Sequence, residues 1–447
     1  MQIKLYNSLT NQIEEFKPIK ENEISMYVCG PTVYNDIHIG NARPVVFFDM
    51  VHRFFKYIGY NVKYVSNFTD IDDKIIKKAK EQNIDETEVA EKYIKAYLEV
   101  CSGFNCLEYY ANPRVTMCIP QITDYIQKLV ENGYAYQQGD NVYFRVHKSP
   151  KYGILSNQQL DSLEAGSRID IETDKEDPRD FVLWKLTSDE GKKWDSPFGK
   201  GRPGWHTECC VMINDIFKGQ IDIHGGGNDL KFPHHENEIA QEMCMHNSTI
   251  ANYWLHNARI DLAGEKMSKS LGNVVWAKDL LAKYPYQAIR LMILNNHYRQ
   301  SIAYKDELME RSLTEWDKIT RAYVSLYREL ELNDIVNDSN NDEKHLPLFL
   351  SAMADDFNTP NAFTVMYQLI KDINTCMRVP EKDFKALQEY LNSLSAMLNI
   401  LGLIPDVKPL LPNEKELLLK WREARKNKDF ALADEIRQKI TELGIKF

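Results

Sequence analysis

Three absences narrow the kind of protein that this 447-residue sequence encodes. No apolar run approaches the roughly 20 residues of a membrane-spanning helix, which argues against a transmembrane protein. The N-terminus, MQIKLYNSLTNQIEEF, lacks a basic segment followed by an apolar one, so we expect no secretory signal. The eight cysteines show no framework spacing and no CxxC pair. In a chain of this length, such usage is typical of a reducing cytoplasm, with some cysteines buried and others available to ligate metal.

Further absences concern chemistry and charge. The sequence has no H-E-x-x-H motif, which argues against the commonest zinc hydrolases, and it has no internal repeat. The net charge of −10 argues against unspecific nucleic-acid binding over the whole surface, but it leaves room for a local basic patch. With 43% hydrophobic and 27% charged residues, the chain is expected to be globular and to form two to four domains.

The stretch Met26–Arg43, MYVCGPTVYNDIHIGNAR, is the first feature that carries chemistry. Ile24–Val28 predicts a buried strand, and the turn residues Cys29-Gly30-Pro31 end it. A helical pattern begins near His38 and continues to about Gly59. This order places backbone N–H groups at a helix N-terminus, where phosphate is favoured, and His38 can add a donor. An ordinary turn is the alternative interpretation of this stretch alone.

The strands that follow predict an interrupted α/β sheet. Val62–Phe68 predicts a second strand, and its polar loop suits the carboxyl edge of a parallel sheet. Gln220–His224 and Tyr253–Ile260 predict two more strands. Beyond Asn273 the pattern is helical to about Leu403.

Lys266–Ser270, KMSKS, lies between Gly264 and Gly272. Two lysines and two hydroxyls in such a loop suit a mobile clamp that tightens on phosphate oxygens as charge develops on a leaving pyrophosphate. A solvated basic turn is the alternative for this loop taken alone.

The run His224–Gln241, HGGGNDLKFPHHENEIAQ, carries a second set of candidates. Its three glycines let a ligand approach the backbone closely, and Asp229 can accept hydrogen bonds from ribose hydroxyls. His234 and Glu238 are four residues apart and project from one helix face. That spacing suits a metal site, with Cys29 and Cys209 as further candidate ligands, or merely a polar helix face.

Together, HIGN and KMSKS on either side of an interrupted sheet resemble the two ATP motifs of class I aminoacyl-tRNA synthetases. Over essentially its whole length, the sequence resembles the cysteinyl-tRNA synthetase family within that class. The stretches that carry the resemblance are MYVCGPTVYNDIHIGNAR, NFTDIDDKI, DPRDFVLWK, PGWHTEC, HGGGNDLKFPHHENEIAQ and GEKMSKSLGN.

The resemblance implies an α/β fold. A Rossmann-type nucleotide-binding catalytic domain with an insertion is followed by an α-helical anticodon-binding bundle and a small C-terminal domain. The expected bounds are residues 1–112 and 200–260 for the halves of the catalytic core, 113–199 for the connective insertion, 261–310 for the KMSKS loop and stem-contact region, 311–403 for the bundle and 413–447 for the C-terminal anticodon-recognition segment. That last region fits RNA backbone neutralisation, because from residue 415 onward it carries nine Lys/Arg against six Asp/Glu.

The resemblance also implies one Zn²⁺ per chain, held by Cys29, Cys209, His234 and Glu238. A hydrophobic pocket discriminates poorly between cysteine and serine. Zinc bonds a soft thiolate and lowers its pKa, which a serine hydroxyl does not match. Zinc is then a selectivity device that makes a separate editing domain unnecessary. The residues implied to line the amino-acid pocket are Thr69, Trp205 and His224. For Trp205, an aromatic residue of the core is the alternative interpretation.

For the reaction, the resemblance implies that His38 stabilises the pentacoordinate phosphate and that Lys266 and Lys269 stabilise the departing pyrophosphate, with Mg²⁺ on the ATP. The implied ATP-binding residues are His38, Gly40, Asn41, Asp229, Lys266, Ser268 and Lys269. Asn41 stands where the class pattern has a second histidine. The implied partners are ATP, L-cysteine and tRNA(Cys), without a membrane, for a monomer in the cytoplasm.

Two rival interpretations remain. A paralogous ligase makes the same adenylate but passes cysteine to the amine of a glucosaminyl-inositol, and it should lack a C-terminal anticodon module. A non-catalytic tRNA-binding or zinc-stabilised structural protein would have no reason to keep His38, Lys266 and Lys269 together with four metal-ligand candidates.

Overall fold

A computed structural model describes residues 1–157, 175–187, 191–262, 265–266, 274–335 and 340–447, with only the backbone described at 265 and 266. The chain divides into two units, one formed by residues 2–283 and 298–304 and the other by residues 284–297 and 305–447. Among the described residues, no helix combines the length and apolarity needed to cross a bilayer.

The first unit mixes strands and helices. Its elements are β1 (Lys4–Asn7), β2 (Gln12–Glu15), β3 (Glu23–Val28), α1 (Ile39–Tyr57), β4 (Asn61–Ser66), α2 (Asp73–Gln82), α3 (Glu86–Gly103), α4 (Ile119–Glu131), β5 (Ala135–Gln138), β6 (Asn141–Phe144), β7 (Phe181–Leu186), β8 (Gly201–Pro203), α5 (Glu208–Phe217), β9 (Ile221–Gly227), α6 (Glu236–His246), β10 (Ala251–Asn257), β11 (Ile260–Leu262), β12 (Glu265–Lys266), α7 (Ala277–Lys283) and, after the first helix of the second unit, β13 (Ile302–Tyr304).

A parallel sheet with the order β10-β9-β3-β4 forms the centre of the first unit. Met26, Tyr27 and Val28 at the end of β3 are all buried, as expected for a parallel strand that is covered on both faces. The predicted Rossmann-type arrangement is thus confirmed. Its carboxyl edge gathers the ends of four strands, where ligands bind in such sheets.

An antiparallel sheet with the order β5-β6-β7-β8 interrupts this pattern between the two pairs of parallel strands. Phe144, Leu183 and Trp184 of this sheet are buried. The sheet lies within the range predicted as an insertion, and the exact domain bounds stay predictions.

The predicted strand Tyr253–Ile260 is wrong in its extent, because it divides into β10 and β11. The backbone N–H of Ala258 donates to the carbonyl of Tyr298 at 2.8 Å, which ends the ladder of the parallel sheet. The Arg43 guanidinium, 1% exposed, donates to the carbonyls of Ala258 at 2.7 Å and Arg259 at 2.9 Å. These hydrogen bonds hold the backbone between β10 and β11 outside the parallel sheet.

A short second sheet follows this break. Strand β11 pairs with β12 in antiparallel orientation and with β13 in parallel orientation. The helical pattern predicted beyond Asn273 is therefore wrong at one point, because Ile302–Tyr304 forms β13.

The second unit is helical as described. Its helices are α8 (Tyr286–Leu294), α9 (Asp306–Leu332), α10 (His345–Ala354), α11 (Thr359–Cys376), α12 (Phe384–Leu401), α13 (Pro412–Lys426) and α14 (Phe430–Glu442). The last two helices pack on the end of α9 through a small apolar cluster formed by Leu332, Leu418, Ile436 and Ile440. The predicted helical bundle with a C-terminal segment is confirmed at the level of fold.

Candidate metal centre and nucleotide cavity

A cavity of about 960 Å³ opens at the carboxyl edge of the parallel sheet. The end of β3, the loop after β4 and the turn after β9 contribute its walls. It brings together most of the described candidate residues from the sequence. Those that line it are Cys29, His38, Gly40, Asn41, Thr69, Trp205, Cys209, Asp229 and His234.

Four side chains at the wall of this cavity form a compact donor cluster. One ligand atom from each of Cys29, Cys209, His234 and Glu238 lies within 4.8 Å of the others. The Sγ of Cys29 lies 3.6 Å from the Sγ of Cys209 and 3.7 Å from a carboxylate oxygen of Glu238. The Nε2 of His234 lies 3.7 Å from Cys209 Sγ and 2.9 Å from Glu238 Oε1.

These separations fit a tetrahedral zinc site. Zinc bonds of about 2.3 Å to sulfur and about 2.0 Å to nitrogen put two ligand sulfurs about 3.8 Å apart, and a sulfur and a nitrogen about 3.5 Å apart. The cysteine and histidine edges match both values. The distance between His234 and Glu238 is shorter because the two side chains share a hydrogen bond. A cation in place of the shared proton would lengthen this distance. Two thiols, an imidazole and a carboxylate also form a donor set that suits zinc.

Different elements deliver these four ligands. Cys29 follows β3, where its N–H donates to the carbonyl of Gly225 at 3.2 Å. Cys209 lies in the first turn of α5. The sequence predicted that His234 and Glu238 share one helix face, but Phe232 is extended (φ −141°, ψ 134°), and a single wide turn, Lys231–His235, precedes α6. His234 and Glu238 nevertheless keep their i, i+4 contact.

His38 lines the same cavity as the N-cap residue of α1. Its Nδ1 accepts a hydrogen bond from the backbone N–H of Asn41 at 3.2 Å. The ring proton of the neutral imidazole therefore lies on Nε2, and this nitrogen is a hydrogen-bond donor. The backbone on either side of His38 is held by Ile39 N–H to Val275 O at 2.9 Å and by Ala277 N–H to Ile37 O at 3.0 Å.

The second predicted ATP motif is only partly described. The backbone of Lys266 pairs with Asp261 as part of β12, whereas Ser268 and Lys269 lie outside the described residues. Their assignment to pyrophosphate stays a prediction.

Comparison with known proteins decides the family. Residues 15–314 match the sequence model of "tRNA synthetases class I (C) catalytic domain". The cysteine–tRNA ligase of Acholeplasma laidlawii is 47% identical over 442 residues, covering 99% of each chain. The cysteine–tRNA ligase of Halalkalibacterium halodurans is 45% identical over 454 residues, covering 100% of this chain and 97% of that protein. The chain belongs to the cysteine–tRNA ligase family.

Two further matches concern a C-terminal domain and the fold. Residues 348–405 match the DALR domain. Methionyl-tRNA synthetase from Mycobacterium tuberculosis, in complex with methionyl-adenylate, shares the fold with a TM-score of 0.61 at 13% identity, covering 92% of this chain and 96% of that one. The full-length match to cysteine–tRNA ligases includes the C-terminal helices, which argues against the rival ligase expected to lack them.

Within this cysteine–tRNA ligase fold, the four donor side chains shift one another's pKa values. Burial tends to raise the pKa of Glu238, but the imidazoles of His224 and His234 hold that pKa well below its usual range. His224 Nε2 lies 2.8 Å from Glu238 Oε2. Burial raises the pKa of the Cys29 thiol, whereas the hydrogen bond from Cys29 lowers the pKa of Cys209 to about 6. The environment therefore favours the thiolate at Cys209 over the thiolate at Cys29.

Trp205, Thr69 and His224 take different positions around this cluster. Trp205 is 44% exposed and stacks on His234 with ring centres 4.6 Å apart, which excludes the core-aromatic alternative. Thr69 Oγ1 lies 3.4 Å from Glu208 Oε2 at the cavity wall. His224 is fully buried behind Glu238. Its role as a direct substrate contact stays a prediction.

Sequence reasoning missed three histidines that surround the cluster. His235 Nε2 lies 3.3 Å from Cys29 Sγ, and its Nδ1 lies 2.9 Å from His256 Nε2. His206 Nδ1 lies 3.2 Å from His234 Nδ1. Burial lowers the pKa of His206 and of His256 to about 3, so both rings are neutral. The available signal was that His206 and His235 are sequence neighbours of predicted site residues.

A second donor group overlaps the first. Cys29, His224, His235 and Glu238 also bring ligand atoms within 4.8 Å of one another. Cys209 and His234 line the cavity, whereas His224 and His235 are completely buried. A metal that must meet a substrate therefore suits the group that contains Cys209 and His234.

Gly30 gives a test of how the backbone sets the position of Cys29. A Cβ at residue 30 would lie 1.7 Å from the carbonyl oxygen of Asn67 and 2.8 Å from its carbon. Because backbone must move, we expect Gly30→Ala to cost about 1–3 kcal/mol of stability, as overpacking does, and to weaken zinc binding at least tenfold. Thermal unfolding and zinc titration with a competing chelator measure both effects.

Gly133→Ala is the control for this substitution. A Cβ there meets nothing within 4 Å, although φ is +77°. This variant is expected to lose some stability through backbone strain and to bind zinc like the unmodified protein. Equal zinc affinity in the two variants would contradict the proposed role of the Gly30 backbone.

Proposed function

We propose that the chain activates L-cysteine with ATP to form cysteinyl-adenylate and pyrophosphate, and then transfers the cysteinyl group to the 3′-terminal ribose of tRNA(Cys). One observation carries the proposal. The donor cluster of two thiols, an imidazole and a carboxylate opens onto the same cavity as the first ATP motif. A substrate thiol and the α-phosphate of ATP can therefore be held in a single site.

The amino-acid end of the site consists of Cys29, Cys209, His234 and Glu238, which would hold a Zn²⁺ ion. When bound, zinc supplies a soft Lewis acid that favours a thiolate over a serine hydroxyl. The chain's own residues orient the set. His224 fixes one oxygen of Glu238, and His206 faces the second ring nitrogen of His234. Such partners of ligands typically contribute about 10–100-fold to metal affinity or activity.

Cysteine itself would lie between Trp205 and Thr69. The exposed indole covers one side of His234 and excludes water from the thiol end of the substrate. Thr69 closes the opposite wall, where its hydroxyl is oriented by Glu208. Together they direct the substrate carboxylate towards the nucleotide.

In the first reaction, the substrate carboxylate attacks the α-phosphorus of ATP and pyrophosphate leaves. The enzyme mainly positions the reactants and neutralises charge. His38 donates from Nε2 to the phosphate as charge grows, supported by the N-terminus of α1. Gly40 lets the nucleotide lie close, the backbone of Asn41 fixes the His38 ring, and Asp229 accepts from the ribose hydroxyls. Lys266, Ser268 and Lys269 contact the departing pyrophosphate, and Mg²⁺ arrives with the ATP.

In the second reaction, a ribose hydroxyl at the 3′ end of the tRNA attacks the cysteinyl carbonyl of the adenylate, so that an ester forms and AMP leaves. Class membership favours the 2′-OH. The helical bundle and the C-terminal helices bind the anticodon end. The match to the DALR domain and the basic bias of residues 415–447 support this part of the proposal. We further propose that the chain acts as a monomer in the cytoplasm.

Charging of tRNA tests the proposed function. Purified protein is incubated with ATP, Mg²⁺ and radiolabelled cysteine on transcripts of tRNA(Cys) and of a second tRNA. We expect an acid-precipitable product on tRNA(Cys) alone, and none with serine. Absence of charging by protein that contains bound zinc would overturn the proposal in favour of a non-catalytic tRNA binder.

A further inference from the structure

We propose that the lysines of α2 bind the phosphates of the single-stranded 3′ end of the tRNA as it enters the cavity. This inference rests on the proposed function and deepens it by naming a path for the RNA. The surface, called here the α2 lysine face, consists of Lys74, Lys77, Lys78 and Lys80. Ile75, Ile76 and Ala79 form the buried side of the same helix.

The α2 lysine face begins at the site of chemistry. Lys74 lines the cavity, and its Nζ lies 5.5 Å from the centre of the Tyr34 ring, which lines the cavity too. The other three lysines follow within the next two turns of α2. A ten-residue helix is about 15 Å long. A strand with its terminal ribose in the cavity can therefore run along α2.

The charges around α2 favour an anion. The helix has four lysines against Asp73 and Glu81, in a chain with a net charge of −10. Asp73 is itself paired with Arg202 at 2.8 Å and lies 3.8 Å from Lys185, and Glu81 lies 4.0 Å from Lys78. Asp73 is thus compensated by cations outside the α2 lysine face, whereas Glu81 is compensated by Lys78 of that face. The N-cap carboxylate of Asp72 accepts from the Lys74 N–H.

Two arrangements of these lysines are unfavourable for the helix on its own, although Lys80 in the last turn complements the helix dipole. Lys74 lies in the first turn of α2, where the helix dipole repels a cation. Lys74 and Lys78 are like charges at i, i+4, and Lys77 and Lys80 are like charges at i, i+3, which destabilises a helix. Within the described part of the chain, Lys77 and Lys80 make no ion pair. A bound polyanion removes each of these costs.

The chemistry of the partner follows from the reaction. The acceptor ribose must reach the adenylate in the cavity, so the nucleotides that precede it must cross the rim. Their phosphates are the anions available to the α2 lysine face, and lysine binds phosphate as a point charge. A free triphosphate could engage Lys74 alone, because Lys77 and Lys80 lie beyond the described cavity wall.

The test compares two charge-matched double variants. Lys77→Gln with Lys80→Gln removes two lysines from α2. Lys92→Gln with Lys95→Gln removes two exposed lysines with the same spacing from α3. For each, we measure cysteine-dependent ATP–pyrophosphate exchange, which needs no tRNA, and kcat/KM of aminoacylation for tRNA as a function of salt.

We expect the α2 variant to keep exchange within about twofold of the unmodified enzyme and to lose about tenfold in kcat/KM for tRNA. The slope of log kcat/KM against log salt should become smaller by about 1.4. Each phosphate contact to a single strand contributes about 0.7 to this slope, and the variant loses two lysines. The α3 variant should match the unmodified enzyme in both assays.

Equal kcat/KM for tRNA in the two double variants would overturn the α2 assignment. So would an equal loss of exchange and aminoacylation in the α2 variant, since that result would assign the lysines to ATP or to folding. Absence of exchange in the unmodified enzyme would instead overturn the proposed function, and this inference with it.

Discussion

Replacing Cys209 by serine is expected to lower cysteine-dependent ATP–pyrophosphate exchange about a thousandfold, which corresponds to about 4 kcal/mol of transition-state stabilisation. Cys209 supplies the second sulfur of the donor cluster, and this sulfur lies 3.6 Å from that of Cys29. A serine hydroxyl does not ionise near neutral pH and is a poor zinc ligand. Under the proposed function, loss of the metal would remove the group that selects the substrate thiolate, so we expect activity and bound zinc to fall together.

Cys210→Ser is the matched control. Cys210 is the adjacent residue and is also fully buried. Its thiol faces the backbone carbonyls of His206 and Glu238, which a serine hydroxyl can equally satisfy. We expect this variant to keep its zinc, measured by elemental analysis, and most of its exchange activity. Loss of zinc from Cys210→Ser, or full zinc content in Cys209→Ser, would contradict the assigned ligand set.

Replacing His38 by asparagine is expected to lower kcat of adenylate formation by about 10²–10³, the usual effect of removing one donor to a developing anion. Asparagine is chosen because His38 is also the N-cap residue of α1. An asparagine side chain caps a helix well, so the substitution removes the Nε2–H donor while it leaves the helix start intact. Single-turnover formation of adenylate measures the chemical step directly.

Stability and metal content separate catalysis from folding in this variant. We expect the thermal midpoint of His38→Asn to stay close to that of the unmodified enzyme, and its zinc content to be unchanged. His38→Ala should lose the same activity but also about 1 kcal/mol of stability, as loss of a cap typically does. An adenylate rate within tenfold of the unmodified enzyme would contradict a direct role of His38 at the phosphate.

Part of the donor cluster could be predicted from sequence, because the spacing of two ligand candidates indicates that they share one helix face. His234 and Glu238 are separated by one helical turn, and that relation survives even though regular helix begins only at Glu236. Cys29 was recognisable because turn residues follow a buried strand. The four-ligand combination, however, came from resemblance to a family, since spacing alone allowed a polar helix face.

Other features depend on contacts that are distant in sequence. The break between β10 and β11 requires Arg43, more than two hundred residues away, to bind the carbonyls of Ala258 and Arg259. His256 joins the site only because the parallel register brings its strand beside β9. The three residues of β13 are too few to show a period, and they pair with β11 rather than with a sequence neighbour.

The most direct test of the account is cysteine-dependent ATP–pyrophosphate exchange on protein whose zinc content is measured in the same sample. We predict exchange with cysteine, none with serine, about one zinc per chain, and loss of exchange after the metal is removed by a chelator. Exchange that persists without zinc, or that serine supports as well as cysteine does, would contradict the claim that the Cys29, Cys209, His234 and Glu238 cluster selects the substrate.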